Sequence, residues 1–146
     1  MRRRMLFAGA AALALLQTAA AWSQDDKGYE TKLQLQARSL PAIREEIVKA
    51  TGYDEMAVEV RPGRHQLFIT VVNSKLLSGG GAARIDEATA ISSAVAQAIA
   101  HRPEFDDVEA LHIDYVRRDK PDTATQTVQG IDFRKDPQGK FKHHVS

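Results

Sequence analysis

Two polar residues at alternate positions, His112 and Asp114, are the strongest candidates for chemistry in this 146-residue sequence. Alternate residues of a β-strand point to the same face of a sheet, so an imidazole and a carboxylate would lie side by side there. Both groups are ligands that Zn²⁺ uses in proteins. The spacing therefore predicts a metal site at His112 and Asp114, and the alternative is a solvated polar sheet face. Candidates for a third ligand are His65, His143, His144 and more distant acids.

Other catalytic patterns are absent from the sequence. It contains no cysteine, which excludes a thiol nucleophile, a disulfide framework and a lipid anchor attached through cysteine. No Gly-x-Ser-x-Gly elbow surrounds any serine. Glu45 and Glu46 are adjacent on a predicted helix, where neighbouring side chains diverge by about 100° and cannot face one substrate. We therefore predict a protein without a cofactor that is not an enzyme. The alternative is a small metal-assisted enzyme that uses His112 and Asp114.

Two further segments could contact anions. Gly79, Gly80 and Gly81 precede a predicted helix, but the Lys-Ser/Thr pair of a phosphate loop does not follow them. They are interpreted as a connector. A second segment near the C-terminus is basic and is interleaved with Phe133 and Phe141; its basic residues are Arg134, Lys135, Lys140, Lys142, His143 and His144. This stretch predicts either a solvated hairpin or contact with anionic lipid or an acidic partner.

The N-terminus has the pattern of an export signal. Arg2, Arg3 and Arg4 precede an apolar run that ends at Leu16, too short for the roughly 20 residues of a membrane-spanning helix. Small residues at Ala19 and Ala21 suit positions −3 and −1 of a cleavage site, which predicts cleavage before Trp22. Cleavage after Ser23 and an uncleaved anchor are the alternatives, and the arginines also fit a twin-arginine signal. The predicted location is periplasmic or secreted.

The charge of the exported chain argues against nucleic-acid binding. The whole sequence has 20 basic and 19 acidic residues and a formal charge of +1. Loss of the three N-terminal arginines leaves 17 basic residues against the same 19 acidic ones, a formal charge of about −2. A domain near neutrality lacks the positive field that gathers phosphates. The expected partner is instead another envelope protein or the cell surface.

The elements that position these residues follow an α+β pattern. Ser39 is predicted to cap a helix that stops at Gly52, and Pro62-Gly63 joins two strands. A second helix with a thin, alanine-rich face follows, and then two or three more strands that include Leu111–Tyr115. The predicted fold is a two-layer sandwich in which two helices cover one face of a mostly antiparallel sheet of four to five strands, in the order αββαββ. If residues 29–37 form a strand, the order becomes a ferredoxin-like βαββαβ.

These expectations combine into one organisation. Residues 1–21 are a cleavable signal peptide, residues 22–38 a polar leader with a first element, and residues 39–146 a single α+β domain. The predicted function is an exported, non-catalytic binding or accessory domain of the bacterial envelope. Its predicted contact surface is the sheet face that carries His112 and Asp114.

Overall fold

The computed structural model describes residues 7–120 and 124–146, and within them the side chains of residue 28 and of residues 30 onward. Its regular elements confirm the predicted α+β order, with three strands after the second helix. The long helices are α1 (Phe7–Thr51) and α2 (Gly81–Ile99), and the strands are β1 (Val58–Pro62), β2 (Gln66–Val72), β3 (Ala110–Arg117), β4 (Gln126–Lys135) and β5 (Phe141–His144). Short 3₁₀ helices cover Glu55–Ala57 and Pro103–Phe105.

The five strands form one sheet in the order β1-β2-β3-β4-β5. Three neighbouring pairs are antiparallel, and β2 and β3 are parallel. Parallel neighbours need a crossover connection, which α2 supplies here because it lies between β2 and β3 in the sequence. The sheet is therefore mostly antiparallel, as predicted, and the β2–β3 pair makes it a mixed sheet.

The hydrophobic core lies on one face of this sheet, and the two-layer prediction is confirmed. Alternate residues of the inner strands point into it, which gives β2 and β3 their period-two burial. From the helices come Ile43 and Ile47 of α1 and Ile91 and Val95 of α2, all fully buried. The strand residues of this core are Val58, Leu67, Ile69, Val71, Leu111, Ile113, Tyr115, Ile131, Phe133 and Phe141.

The predicted helix start at Ser39 is wrong, as is the alternative strand at residues 29–37. Both segments lie inside α1, which continues through Pro41 to Thr51. Instead of capping a helix, the Ser39 hydroxyl donates to Glu104 Oε1 at 2.5 Å. One turn earlier, the buried Gln36 side chain donates to the Glu104 carbonyl at 2.8 Å. On the N-terminal side of its buried apolar residues, α1 therefore makes polar contacts with the second 3₁₀ helix.

The helix stop predicted at Gly52 is present, and a second tight turn ends β4. Gly52 follows α1 with a φ of 75°, and its N–H donates to the Val48 carbonyl, as a glycine C-terminal stop requires. The Gly139 N–H closes a four-residue turn on the Asp136 carbonyl at 3.0 Å, and Gly139 has a φ of 81°. These turns fix where α1 ends and how β4 returns as β5.

Contacts divide the chain into two compact units, residues 1–35 and Gln36–Ser146. The second unit holds the last part of α1, α2 and the whole sheet. The predicted cleavage residues Ala19 and Ala21 lie on the helical backbone of α1 in the first unit, and their side chains are not described. Arg2, Arg3, Arg4, Pro121 and Asp122 lie outside the described residues. No helix among the described residues is long and apolar enough to cross a membrane.

Candidate functional site

The face of the sheet opposite the core is the candidate site, and we call it the open face. The described helices of the second unit pack on the other side, against the core. One residue from each strand forms a row straight across the open face, because each is the register partner of the next. This cross-sheet row consists of Arg61, Phe68, His112, Asp132 and His144.

His112 lies at the centre of the cross-sheet row, and both of its ring nitrogens contact carboxylates. Nδ1 lies 2.6 Å from Asp132 Oδ1, and Nε2 lies 2.9 Å from Asp114 Oδ1. The Phe68 ring meets the imidazole edge-on with centroids 6.1 Å apart, and the Arg61 guanidinium stacks over Phe68 at 5.3 Å. Adjacent strands thus contribute to one surface a cation, an aromatic ring and a histidine that contacts two carboxylates.

Gly130 makes room for this arrangement on β4. It is the register partner of Asp114. A Cβ at position 130 would lie 3.0 Å from Asp114 Oδ1 and 3.1 Å from His112 Cε1, closer than ordinary van der Waals contact. Any side chain there would displace the imidazole or the carboxylate. The glycine therefore allows the ring to lie over the neighbouring strand between its two acceptors.

The two carboxylates favour the protonated form of His112. Burial lowers the pKa of the imidazole, but its hydrogen bonds to Asp132 and Asp114 and the charges of these carboxylates outweigh burial, so that the pKa is raised above 6.5. An imidazolium donates from both nitrogens, which matches one acceptor on each side. The geometry and the raised pKa therefore both favour an imidazolium between the two carboxylates.

The structure brings the predicted metal ligands His112 and Asp114 together, but it adds Asp132 on the opposite side of the ring. Because the two carboxylates contact different nitrogens, a cation beside one nitrogen would have only one of them within reach. In the part of the chain that the structure describes, no group of three or more His, Asp or Glu side chains is arranged to hold a metal ion. A metal site at His112 and Asp114 stays a prediction.

The other histidines are spread over the molecule. His65 lies in the β1–β2 turn, with Nδ1 3.6 Å from Asp107 Oδ2, and His101 is exposed after α2. His143 points to the core side of β5 and packs its ring 5.7 Å from that of Phe133. An open hollow of about 560 Å³ lies beside the end of the cross-sheet row. Its charged and histidine lining residues are Arg64, His65, Glu109, Asp132, Arg134 and His144. Because its lining contains both basic and acidic side chains, the hollow does not favour one class of ligand.

A second polar cluster lies inside the domain, beneath the start of α2. Tyr53 and Tyr115 both donate to Glu87, at 2.9 and 3.0 Å, and the Tyr53 oxygen lies 2.6 Å from Ser74 Oγ. Burial is the largest cause that raises the pKa of both tyrosines, and the hydrogen bond to Glu87 and its charge raise it further. Neutral tyrosines that share one carboxylate hold α2 to the rest of the fold.

The buried Arg84 completes this inner cluster. Its guanidinium donates to the carbonyls of Leu76 and Gly79, each at 2.8 Å, and its Nε donates to Gln129 at 2.6 Å. These bonds fasten the glycine connector ahead of α2. The connector interpretation of Gly79–Gly81 agrees with this geometry, because the arginine that follows them is turned inward.

Sequence reasoning missed Asp132, Gly130, Phe68 and Arg61 as members of the site. All four lie on strands other than that of His112, so their proximity depends on strand register. The available signal was the alternation around Ile131 and Phe133, which places Asp132 on the polar face of its strand. No family model, curated protein or solved structure matches this chain.

Proposed function

We propose that this protein is an exported, non-catalytic binding domain of the bacterial envelope that contacts its partner through the open face. The observation that carries this proposal is the cross-sheet row, which continues over all five strands on the face opposite the described helices of the second unit. An arginine, an aromatic ring and a histidine between carboxylates are side chains that interfaces use for polar and stacking contacts. A partner would meet a surface of fixed geometry.

The arrangement of His112 favours binding over catalysis. A general base needs a nitrogen that is free to take a proton from a substrate. Here both nitrogens already contact carboxylates, within 2.9 Å, and the raised pKa favours the charged form that cannot act as a base. The ring is thereby oriented as a fixed element of the surface.

The export part of the proposal rests on the N-terminal sequence. The compact second unit begins at Gln36, so cleavage before Trp22 would remove none of its residues. The mature N-terminus can be determined by mass spectrometry after fractionation of cells that express the full chain. We expect a periplasmic or secreted form that begins at Trp22. A full-length cytoplasmic product would contradict export.

The open face can be tested by site-specific photo-crosslinking in cells that express the full chain. A photoreactive side chain at Thr70, on the open face beside Asp114, should give adducts of discrete mass. The same group at Ala90 or Ser93, exposed on α2, is the control and should give none. Equal crosslinking from both surfaces, or none from Thr70 in a folded and exported protein, would contradict the proposal.

A further inference from the structure

The two edge strands of the sheet, β1 and β5, differ in what their outer backbone offers. An edge strand presents unpaired N–H and C=O groups, onto which another strand can pair. On β1, Pro62 has no N–H and the Val58 N–H already donates to the Glu55 carbonyl. The β1 edge therefore lacks the alternating donors that an incoming strand needs.

The β5 edge has these donors. Hydrogen-bonded pairs recur at every second position of an antiparallel ladder. One such bond joins the Asp136 N–H to the Lys140 carbonyl at 2.7 Å, just before β5 begins. Counting on from that pair, Phe141 and His143 occupy the alternate positions, so their N–H and C=O groups point away from β4. No proline interrupts β5.

The side chains around this edge are basic. Residues 134–144 contain Arg134, Lys135, Lys140 and Lys142 and a single acid, Asp136. The Asp136 carboxylate accepts hydrogen bonds from the N–H groups of Gln138 and Lys140, at 2.9 Å each, and so already has partners within its own turn. The edge therefore combines outward-facing backbone groups with an excess of positive charge.

The positive charge around β5 determines which kind of strand can pair with it. A second copy paired antiparallel about His143 would set Lys142 of one chain opposite His144 of the other. Basic side chains directly opposite each other destabilise a strand pair, whereas opposite charges stabilise it. An incoming strand with carboxylates at alternate positions would instead place them beside Lys142 and His144, which are both exposed.

We propose that β5 binds an extended acidic segment of a partner protein, which joins the sheet as a sixth strand. Its backbone bonds to the outward N–H and C=O groups of Phe141 and His143. Alternate carboxylates lie beside Lys142 and His144 on the open face, and the intervening residues are apolar because they face the core side. This mode of recognition takes affinity from the main chain and specificity from alternate side chains. It does not depend on export, and of the open face it uses Lys142 and His144 at the β5 edge.

An anionic lipid surface would attract the same lysines but would not use the backbone groups of β5. The outward groups of Phe141 and His143 are the observation that favours a peptide. A test therefore has to separate the contribution of the main chain from that of the charge.

The probe is a synthetic peptide of about ten residues that alternates Glu and Val, long enough to span a short strand. Its binding to protein purified from cells that express the full chain is measured by fluorescence anisotropy. The matched control has the same sequence with N-methyl groups on the residues that would donate to β5. We expect the control to bind at least about tenfold more weakly, since it keeps the charge and loses the main-chain bonds.

Two pairs of variants test the protein side. His143→Pro removes one outward N–H, whereas His143→Ala keeps it, and we expect an affinity loss of at least about tenfold for the first and less than about threefold for the second. Lys142→Glu should weaken binding by about tenfold, while Lys75→Glu, the same charge change away from β5, should have an effect of less than about twofold. Circular dichroism checks that each variant is folded.

The outcomes are distinct. A proline effect and an N-methyl effect together support the sixth strand. Equal binding of the methylated and unmethylated peptides would overturn it, and so would an absence of peptide binding to the folded protein. Binding to vesicles of phosphatidylcholine with about 30 % phosphatidylserine that is unchanged by His143→Pro, without peptide binding, would assign the edge to a lipid surface instead.

Discussion

The charged histidine of the open face should make the stability of the protein depend on pH. The pKa of His112 is raised in the folded chain. Burial alone would lower it, but the carboxylates of Asp132 and Asp114 more than compensate. Because the pKa of His112 is higher in the folded chain than in the unfolded chain, the protonated ring stabilises the fold. This stabilisation is fully present below the unfolded pKa near 6.5 and is lost as the pH rises through the folded pKa. The contribution of His112 should therefore be larger at mildly acidic pH than at alkaline pH.

The exposure of the partners sets the magnitude. His112 contacts Asp132, whose side chain is 54% exposed, at 2.6 Å, and Asp114, whose side chain is 30% exposed, at 2.9 Å. Ion pairs in such positions contribute up to about 1 kcal/mol each, and salt screens them. We expect the protonated ring to contribute a total of about 1 kcal/mol at low ionic strength.

The assay is urea unfolding followed by circular dichroism, at several pH values between about 5 and 9, for the protein and for His112→Gln. The useful quantity is the difference in unfolding free energy between the two proteins, because titrations common to both cancel. This difference should shrink as the pH rises. His101→Gln, which removes an exposed histidine after α2 and outside the cluster, is the control.

A difference for His112→Gln that stays constant across the pH range would refute the reasoning, since it would mean that the ring has the same pKa in the folded and unfolded chains. A difference that grows with pH would mean that the ring is held neutral and that burial outweighs the carboxylates.

Further predictions concern the packing around the two clusters. Gly130→Ala should shift the pKa of His112 back towards 6.5, because the new methyl group displaces the ring or its acceptor; an NMR titration that shows no change would contradict this. Tyr115→Phe should lower the unfolding free energy by about 1–2 kcal/mol, as Glu87 loses a buried donor; an unchanged urea midpoint would exclude this role. Ser39→Ala should cost about 1 kcal/mol in the same assay, and a neutral result would mean that its contact with the second 3₁₀ helix adds nothing.

The parts of the fold that could be predicted are those recorded in local periodicity. The alternation from Gln66 to Asn73 identifies an inner strand, and β2 indeed has a neighbour on each side. The spacing of Ile91, Val95 and Ile99 identifies the buried side of α2, and all three are buried. In these segments one side of the element faces the core, and this produces a repeat of apolar residues that is visible within a few positions of the sequence.

The start of α1 could not be predicted in this way. Ser39 followed by a proline two residues later is a local capping pattern, and in isolation a helix start is its best interpretation. In the structure the Ser39 hydroxyl instead contacts Glu104, 65 residues further along the chain. That partner gives the Ser39 hydroxyl a role inside a continuous helix, and no local pattern contains this information.

The candidate site was predictable only within its own strand. His112 and Asp114 share a face because alternate residues always do. Asp132 joins them through the register of β3 and β4, which shifts between Tyr115 and Val116. A shift of one residue moves every later side chain to the other face, so that the site depends on a pairing detail that composition and spacing do not encode.

The parallel pairing of β2 and β3 also affects how the protein folds. β1 with β2, and β3 with β4 and β5, are joined by short connections and can pair early, whereas the two halves meet only after the chain from Asn73 to Glu109 has closed its loop. Long-range closure of this kind slows folding. The Leu67–Leu111 and Ile69–Ile113 pairs across this junction would therefore form late. Until they form, two unfinished sheet edges stay exposed to other chains, and unpaired strand edges of this kind favour aggregation during folding.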